Sequence, residues 1–252
     1  MTVLTRREKT VGLALAPLPP SVAVAEQTWR REHIGTATYR MLTGDDPANA
    51  AIDDDESFDR HVFASILAAA AMEGGAVAEL AGLTADDLAT MAARWFPTAQ
   101  DLVTTWCAQT NGAEDDEIAM VRGLLLANRS TGDDAGRWLA AMVARRSMEP
   151  NHLWEDLGLR DRTELTRLLM RHFSPLASRN TNNMRWKRFF YRALCEDDGL
   201  VMCTTPVCSQ CGDFDVCFGD ESGESRLAYQ RRAYGWKMGS GYEREVARSA
   251  PA

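Results

Sequence analysis

Four of the six cysteines fall inside one short stretch, "CTTPVCSQCGDFDVC" at 203–217. Cys203, Cys208, Cys211 and Cys217 follow the pattern C-x4-C-x2-C-x5-C. Thiolates are soft donors and select zinc, copper(I) or iron–sulfur units over hard cations. A zinc site often pairs two C-x-x-C knuckles across a longer gap. Here a single C-x-x-C is flanked by two looser arms, and all four ligands share one loop. The opening C-x4-C-x2-C follows the plant-type iron–sulfur spacing, although there the fourth cysteine lies far away. A cluster is wider than a single ion, so open spacing suits it. The spacing favours an iron–sulfur-type cluster and leaves a structural zinc open. Pro206, Gly212 and Gly219 let the backbone turn. Phe214 and Phe218 could shield sulfur, and backbone N–H groups could tune its potential. Cys195, shortly upstream, is a further candidate ligand or a resolving thiol; the plainer reading is a buried residue near a helix end.

Other chemistry is sparse. His33, His61, His152 and His172 are candidate ligands, but a lone histidine is more often structural. Arg179, Arg185, Lys187, Arg188 and Arg192 have no acid between them. They could attract oxyanions or an acidic partner, or form the solvated side of a helix. There is no Gly-rich phosphate loop, nucleophile elbow or H-E-x-x-H, so common kinase and hydrolase readings lack support.

The chain has 252 residues, 45% hydrophobic and 25% charged, with a net charge of −8. That describes a globular protein with room for a core, and argues against a nucleic-acid binder. The run "VFASILAAAAM" from Val62 is too short to cross a bilayer. Arg6, Arg7 and Lys9 before "VGLALAPLPPSVAVA" mimic a signal peptide, but Pro17, Pro19 and Pro20 interrupt the apolar region, so a flexible leader is expected. Crowded thiols in a long chain fit metal binding in a reducing compartment, the cytoplasm, better than disulfides.

These groups need a frame. Residues 1–58 read as a flexible leader holding a candidate helix (25–44) and an acidic linker (45–59). Residues 59–200 are helical throughout. Thr84 and Asp87 suggest a capping box, and Leu88, Met91 and Ala92 recur at helical spacing. Leu102, Val103, Trp106 and Cys107 share an apolar face, which makes Cys107 a packed thiol. Trp186, Phe189, Phe190, Ala193 and Leu194 mark the apolar face of a last helix before the cysteines. Residues 201–221 form the cysteine-rich cluster-binding loop, and 222–252 a flexible basic tail. A shift of 76 residues lays Ala64, Met72, Glu73, Gly82 and Leu83 on Ala140, Met148, Glu149, Gly158 and Leu159. One residue later, Leu88, Arg94 and Phe96 fall on Leu165, Arg171 and Phe173, and Trp95 falls on His172. The expected fold is all-α: a helical bundle with an internal duplication, followed by the metal-binding loop.

"HLWEDLGL" (152–159), "MRWKRFFYRALCE" (184–196) and "CTTPVCSQCGDFDVCFG" (203–219), in that order, resemble the NifQ family of nitrogen-fixation accessory proteins. The resemblance covers roughly residues 59–221. It implies a carrier of a molybdenum–iron–sulfur cluster that donates molybdenum to synthesis of the nitrogenase iron–molybdenum cofactor. The implied partners are the cofactor-assembly scaffold and reductase proteins and a molybdenum source, with no nucleic acid and no membrane. The family's cysteine motif falls on Cys203, Cys208, Cys211 and Cys217, and His152 opens a shared motif. The leader, the tail and Ser174 in "HFSPL" depart from the pattern. No substrate bond is broken in such a role, so the expectation is not an enzyme. The alternatives are a helical interaction or nucleic-acid-binding module with a structural zinc loop, and a simple iron–sulfur redox protein.

Overall fold

The computed structural model describes residues 33–108 and 115–197. Among these residues every regular element is helical. Helix α1 covers 33–43. It is followed by α2 (Asp55–Glu73), α3 (Val77–Leu80), α4 (Ala85–Trp95), a 3-10 turn (Pro97–Ala99) and α5 (Gln100–Cys107). Then come α6 (Asp116–Ala127), α7 (Asp134–Arg146), α8 (Leu153–Asp156), α9 (Arg162–His172), α10 (Ser174–Ala177) and α11 (Trp186–Asp197).

Aspartate and threonine set the helix starts. Asp54 Oδ1 accepts from Glu56 N at 2.9 Å and Ser57 N at 2.8 Å, and Asp161 Oδ1 from Thr163 N at 2.8 Å. Asp115 and Asp133 cap α6 and α7 in the same way. Each such cap satisfies an otherwise orphaned donor and is worth about 1 kcal/mol. Part of the chain's acidity is therefore spent on helix ends. Thr84 caps α4 through Asp87 N at 3.1 Å, but the Asp87 carboxylate turns away to α7, so the reciprocal half of the expected capping box is replaced by a tertiary contact.

Helix α2 is the central element. Its residues from Phe58 to Ala70 are almost all buried, including the apolar run from Val62. A helix that is apolar all round belongs inside a domain. Phe63 packs between Trp95 and Trp138, with ring centroids 5.3 and 6.2 Å away. Phe58, Phe96, Phe173 and Phe190 are also fully enclosed. The boundary expected at residue 59 falls inside α2, and Tyr39 and Leu42 of α1 belong to the same core. The stretch expected to be an acidic linker thus ends as the first turn of a core helix, with Asp59 itself buried.

The same order of elements occurs twice: α2, α3, α4, Phe96 and the 3-10 turn, then α7, α8, α9, Phe173 and α10. Gly82 (φ +77°) and Gly158 (φ +71°) occupy matching turns. In both, the next residue reaches back five positions: Leu83 N to Ala78 O at 2.8 Å, Leu159 N to Trp154 O at 2.9 Å. This is the glycine-ended helix closure that needs a left-handed residue. Each turn seats on the long helix of the other unit. A Cβ on Gly82 would meet Ala141 O of α7 at 2.6 Å, and one on Gly158 would meet Ser65 O of α2 at 2.6 Å.

Candidate metal centre

Cys203, Cys208, Cys211 and Cys217 lie outside the described residues, as do the 201–221 loop and the tail. Cys195 is a half-buried free thiol in the last turn of α11. His152 is half-buried at the N-cap of α8, where its N–H donates to Glu155 Oε2 at 3.1 Å. Neither joins a group of three or more metal-ligating side chains among the described residues. Cys107 packs beside the core with its thiol on Ala85 O at 3.4 Å, and burial pushes its pKa up. A thiol held in its protonated form is a poor ligand.

The structure does join the two segments that precede the cysteines. Helix α11 buries Trp186, Phe189, Phe190 and Ala193 against the body. At its first turn the Lys187 ammonium reaches the carbonyl of Glu149 and, at 2.5 Å, Asp156 Oδ2 of α8. The Asp156 side chain is only 2% exposed and accepts a second bond from Asn151 Nδ2 at 2.9 Å. Arg146 of α7 closes the network. Its Nε donates to Asp156 O at 2.7 Å and its guanidinium pairs with Glu73 of α2 at 2.6 Å. Burial pulls the Lys187 pKa down, and the pull of Asp156 only partly offsets it. Further along α11, the Tyr191 hydroxyl meets Glu117 Oε1 of α6, and burial with that carboxylate raises its pKa. At the end, Arg179 pairs with Asp197 at 3.0 Å and Arg192 with Glu196 at 2.6 Å. The expected basic stretch is therefore compensated in part: Arg179, Lys187 and Arg192 have acidic partners.

Two further buried networks surround α2. Tyr39 OH lies 2.7 Å from His61 Nδ1, and His61 Nε2 lies 3.3 Å from Glu164 Oε2. Burial pushes the Tyr39 pKa up to about 12. Burial would also raise Glu164, but bonds from His61 and Arg160 outweigh it and the net direction is down. An ionised carboxylate only accepts, so Nε2 donates to it. Asp59 holds His172 Nε2 at 2.8 Å and takes a two-pronged contact from Arg171, with both oxygens at 2.9 Å. Its pKa is depressed because His172 and Arg171 outweigh burial. Both histidines are framework groups locked by carboxylates, as the match of His172 with Trp95 suggested. Sequence reasoning missed Asp59, Arg146, Asp156 and Glu164, because buried charges look like surface charges until their partners are known.

What this defines is a body that is all-α among the described residues, whose last helix is fastened to it and precedes a thiol-rich segment of the sequence. The chain belongs to the NifQ family, whose model matches residues 62–219 and so spans all four cysteines. It is 45% identical over 172 residues to the NifQ homolog of Sinorhizobium fredii, covering 67% of this chain and 75% of that protein. It is 42% identical over 143 residues to NifQ of Azotobacter vinelandii, covering 57% and 69%. With NifQ of Rhodobacter capsulatus it shares 39% over 141 residues, covering 56% and 76%. No solved structure matches. Membership supports an accessory role in biosynthesis of the nitrogenase iron–molybdenum cofactor. No described helix is long and apolar enough to cross a membrane.

Proposed function

We propose that this protein carries a molybdenum-containing iron–sulfur cluster as cargo and donates molybdenum to assembly of the nitrogenase cofactor. The observation that carries the reading is the four-thiol spacing at Cys203, Cys208, Cys211 and Cys217, inside the family match. Soft sulfur ligands in this number suit iron and molybdenum. Delivery requires metal–thiolate bonds that a recipient can replace, which favours ligands on a loop over a closed cage. The recipient supplies competing thiolates or carboxylates, and no covalent bond of an organic substrate breaks, so the role is carriage rather than catalysis. Scaffold and reductase proteins of cofactor assembly, in the cytoplasm, are the partners this implies. The two units with the same order of helices are read as a duplicated frame that precedes the cysteine-rich segment.

The test is elemental analysis of the protein purified without oxygen, beside a Cys208→Ala variant. The wild type is expected to be brown and to contain iron, sulfide and molybdenum. The variant is expected to lose most iron and molybdenum while keeping its helical circular dichroism. A colourless wild type with one tightly held zinc favours the structural-zinc reading instead, and iron with sulfide but no molybdenum favours a simple redox protein.

A further inference from the structure

Lys187 stands where local rules disfavour it. It is the second residue of α11, at the positive pole of the helix, and the first turn contains no acid. A cation there opposes the helix dipole. Its side chain is also only 20% exposed. Burial lowers its pKa, and the Asp156 carboxylate offsets this only in part. Buried ion pairs of this kind add little net stability; removing one partner is harmful mainly because the other is stranded. A residue that breaks a local rule without a gain in stability points to a task in registry or function.

The geometry says what that task is. The apolar face of α11 is broad: Trp186, Phe189, Phe190 and Ala193 are all buried. Apolar contacts are non-directional, so a helix held by such a face alone can slide or rotate with little penalty. The ammonium restricts that freedom at the start of the helix, as Tyr191 on Glu117 and Arg179 on Asp197 do further along. It must meet two fixed acceptors at once, the carbonyl of Glu149 and the carboxylate of Asp156. Asn151 holds the Asp156 carboxylate, Arg146 holds the Asp156 backbone carbonyl, and Arg145 pairs with the Glu149 side chain at 2.7 Å. The charged groups facing Lys187 are thus Asp156 of α8, Glu149 of the α7–α8 connection and Arg146 of α7. The end of the same helix carries Cys195, and Cys203 follows Asp197 by six residues, a reach of about 20 Å at most.

We propose that Lys187 and Asp156 form a register lock that sets where α11 ends on the helical body, and so where the cysteine segment begins. Lys187 is a positioning residue for the metal-holding segment, not a ligand. This inference rests on the cluster reading above. It deepens that reading by assigning a role to the contact that joins the two motifs preceding the cysteines.

The test separates registry from stability. The full chain is loaded without oxygen with ferrous iron and sulfide, and iron loss to a ferrous chelator is timed for wild type, Cys208→Ala, Lys187→Arg and the double variant Lys187→Met/Asp156→Asn. The double variant removes both buried charges and leaves Asn151 an oxygen acceptor. It is expected to keep its helical signal and a melting temperature close to wild type, yet release iron at least about fivefold faster, a difference of about 1 kcal/mol in the release barrier. Lys187→Arg, which keeps a cation with several donors, is expected to stay within about twofold of wild type. A double variant that holds iron as wild type does overturns the proposal, because register then does not matter. One that no longer folds also overturns it, because the pair is then a stabilising bridge. Iron retention by Cys208→Ala would instead remove the cluster reading itself.

Discussion

The α2–α4 unit and the α7–α9 unit are built on one plan, and the differences between them show where the molecule is specialised. In each, an acid on the third helix reaches the long helix of the other unit. Asp87 of α4 takes Arg137 of α7 at 2.7 Å, and Glu164 of α9 faces His61 of α2 at 3.3 Å. The first contact is open, with Arg137 43% exposed; the second is sealed, with His61 1% exposed. The reason is α1, which lays Tyr39 over the second contact. A guanidinium suits the wet position. At the dry one an imidazole can be satisfied at both nitrogens without burying a full unpaired charge. The lesson is that the repeated register is set by the glycine turns, while the polar chemistry at equivalent positions is set by what covers them.

That comparison can be broken first at the glycines. Gly82→Ala and Gly158→Ala should each cost about 2–5 kcal/mol, from a left-handed backbone plus a methyl group forced against a carbonyl oxygen. Urea unfolding followed by circular dichroism measures both, and tolerance at one site alone would show that the two turns are not equivalent. Next, Glu164→Gln should cost about 2 kcal/mol, in the range for a buried bond to a charged group. Arg137→Gln at the open counterpart should stay within about 1 kcal/mol. Equal losses would mean that coverage by α1 is irrelevant. The smallest effect is in acid. Asp59 and Glu164 have folded pKa values below their ordinary 3.8 and 4.5. Their contribution is complete above those ordinary values and is lost as pH falls through the lower folded ones. Wild-type stability should therefore fall as pH drops below about 4. Asp59→Asn and Glu164→Gln should each flatten that limb, which acid titration of the helical signal reads directly.

Much of this was written in the sequence. The paired "GL" turns marked equivalent positions, each of which the fold seats on the long helix of the other unit, while the cysteine spacing concerns residues outside the described ones. Thr84 showed a helix start. What stayed hidden was the fate of charge. Asp59 looked like part of an acidic linker but is buried under Arg171 and His172. Lys187 looked like one cation in a basic stripe but reaches inward to Asp156. Local sequence reports that a residue is ionisable; only long-range packing decides whether water or a counter-ion receives it. One signal was available: Asp87 and Glu164 keep the repeat register, as do Arg137 and His61, and an acid and a base conserved in step between two units invite pairing.

The interlocked turns have a consequence for how the chain assembles. Each half seats a turn of the other: Gly82 of the α3–α4 corner lies against α7, and Gly158 of the α8–α9 corner against α2. Each half is thus a mould for the other, and a polypeptide cut between α5 and α6 should remain shapeless as separate pieces and acquire form on mixing. The body from which α11 extends consequently borrows its rigidity from residues more than a hundred positions upstream.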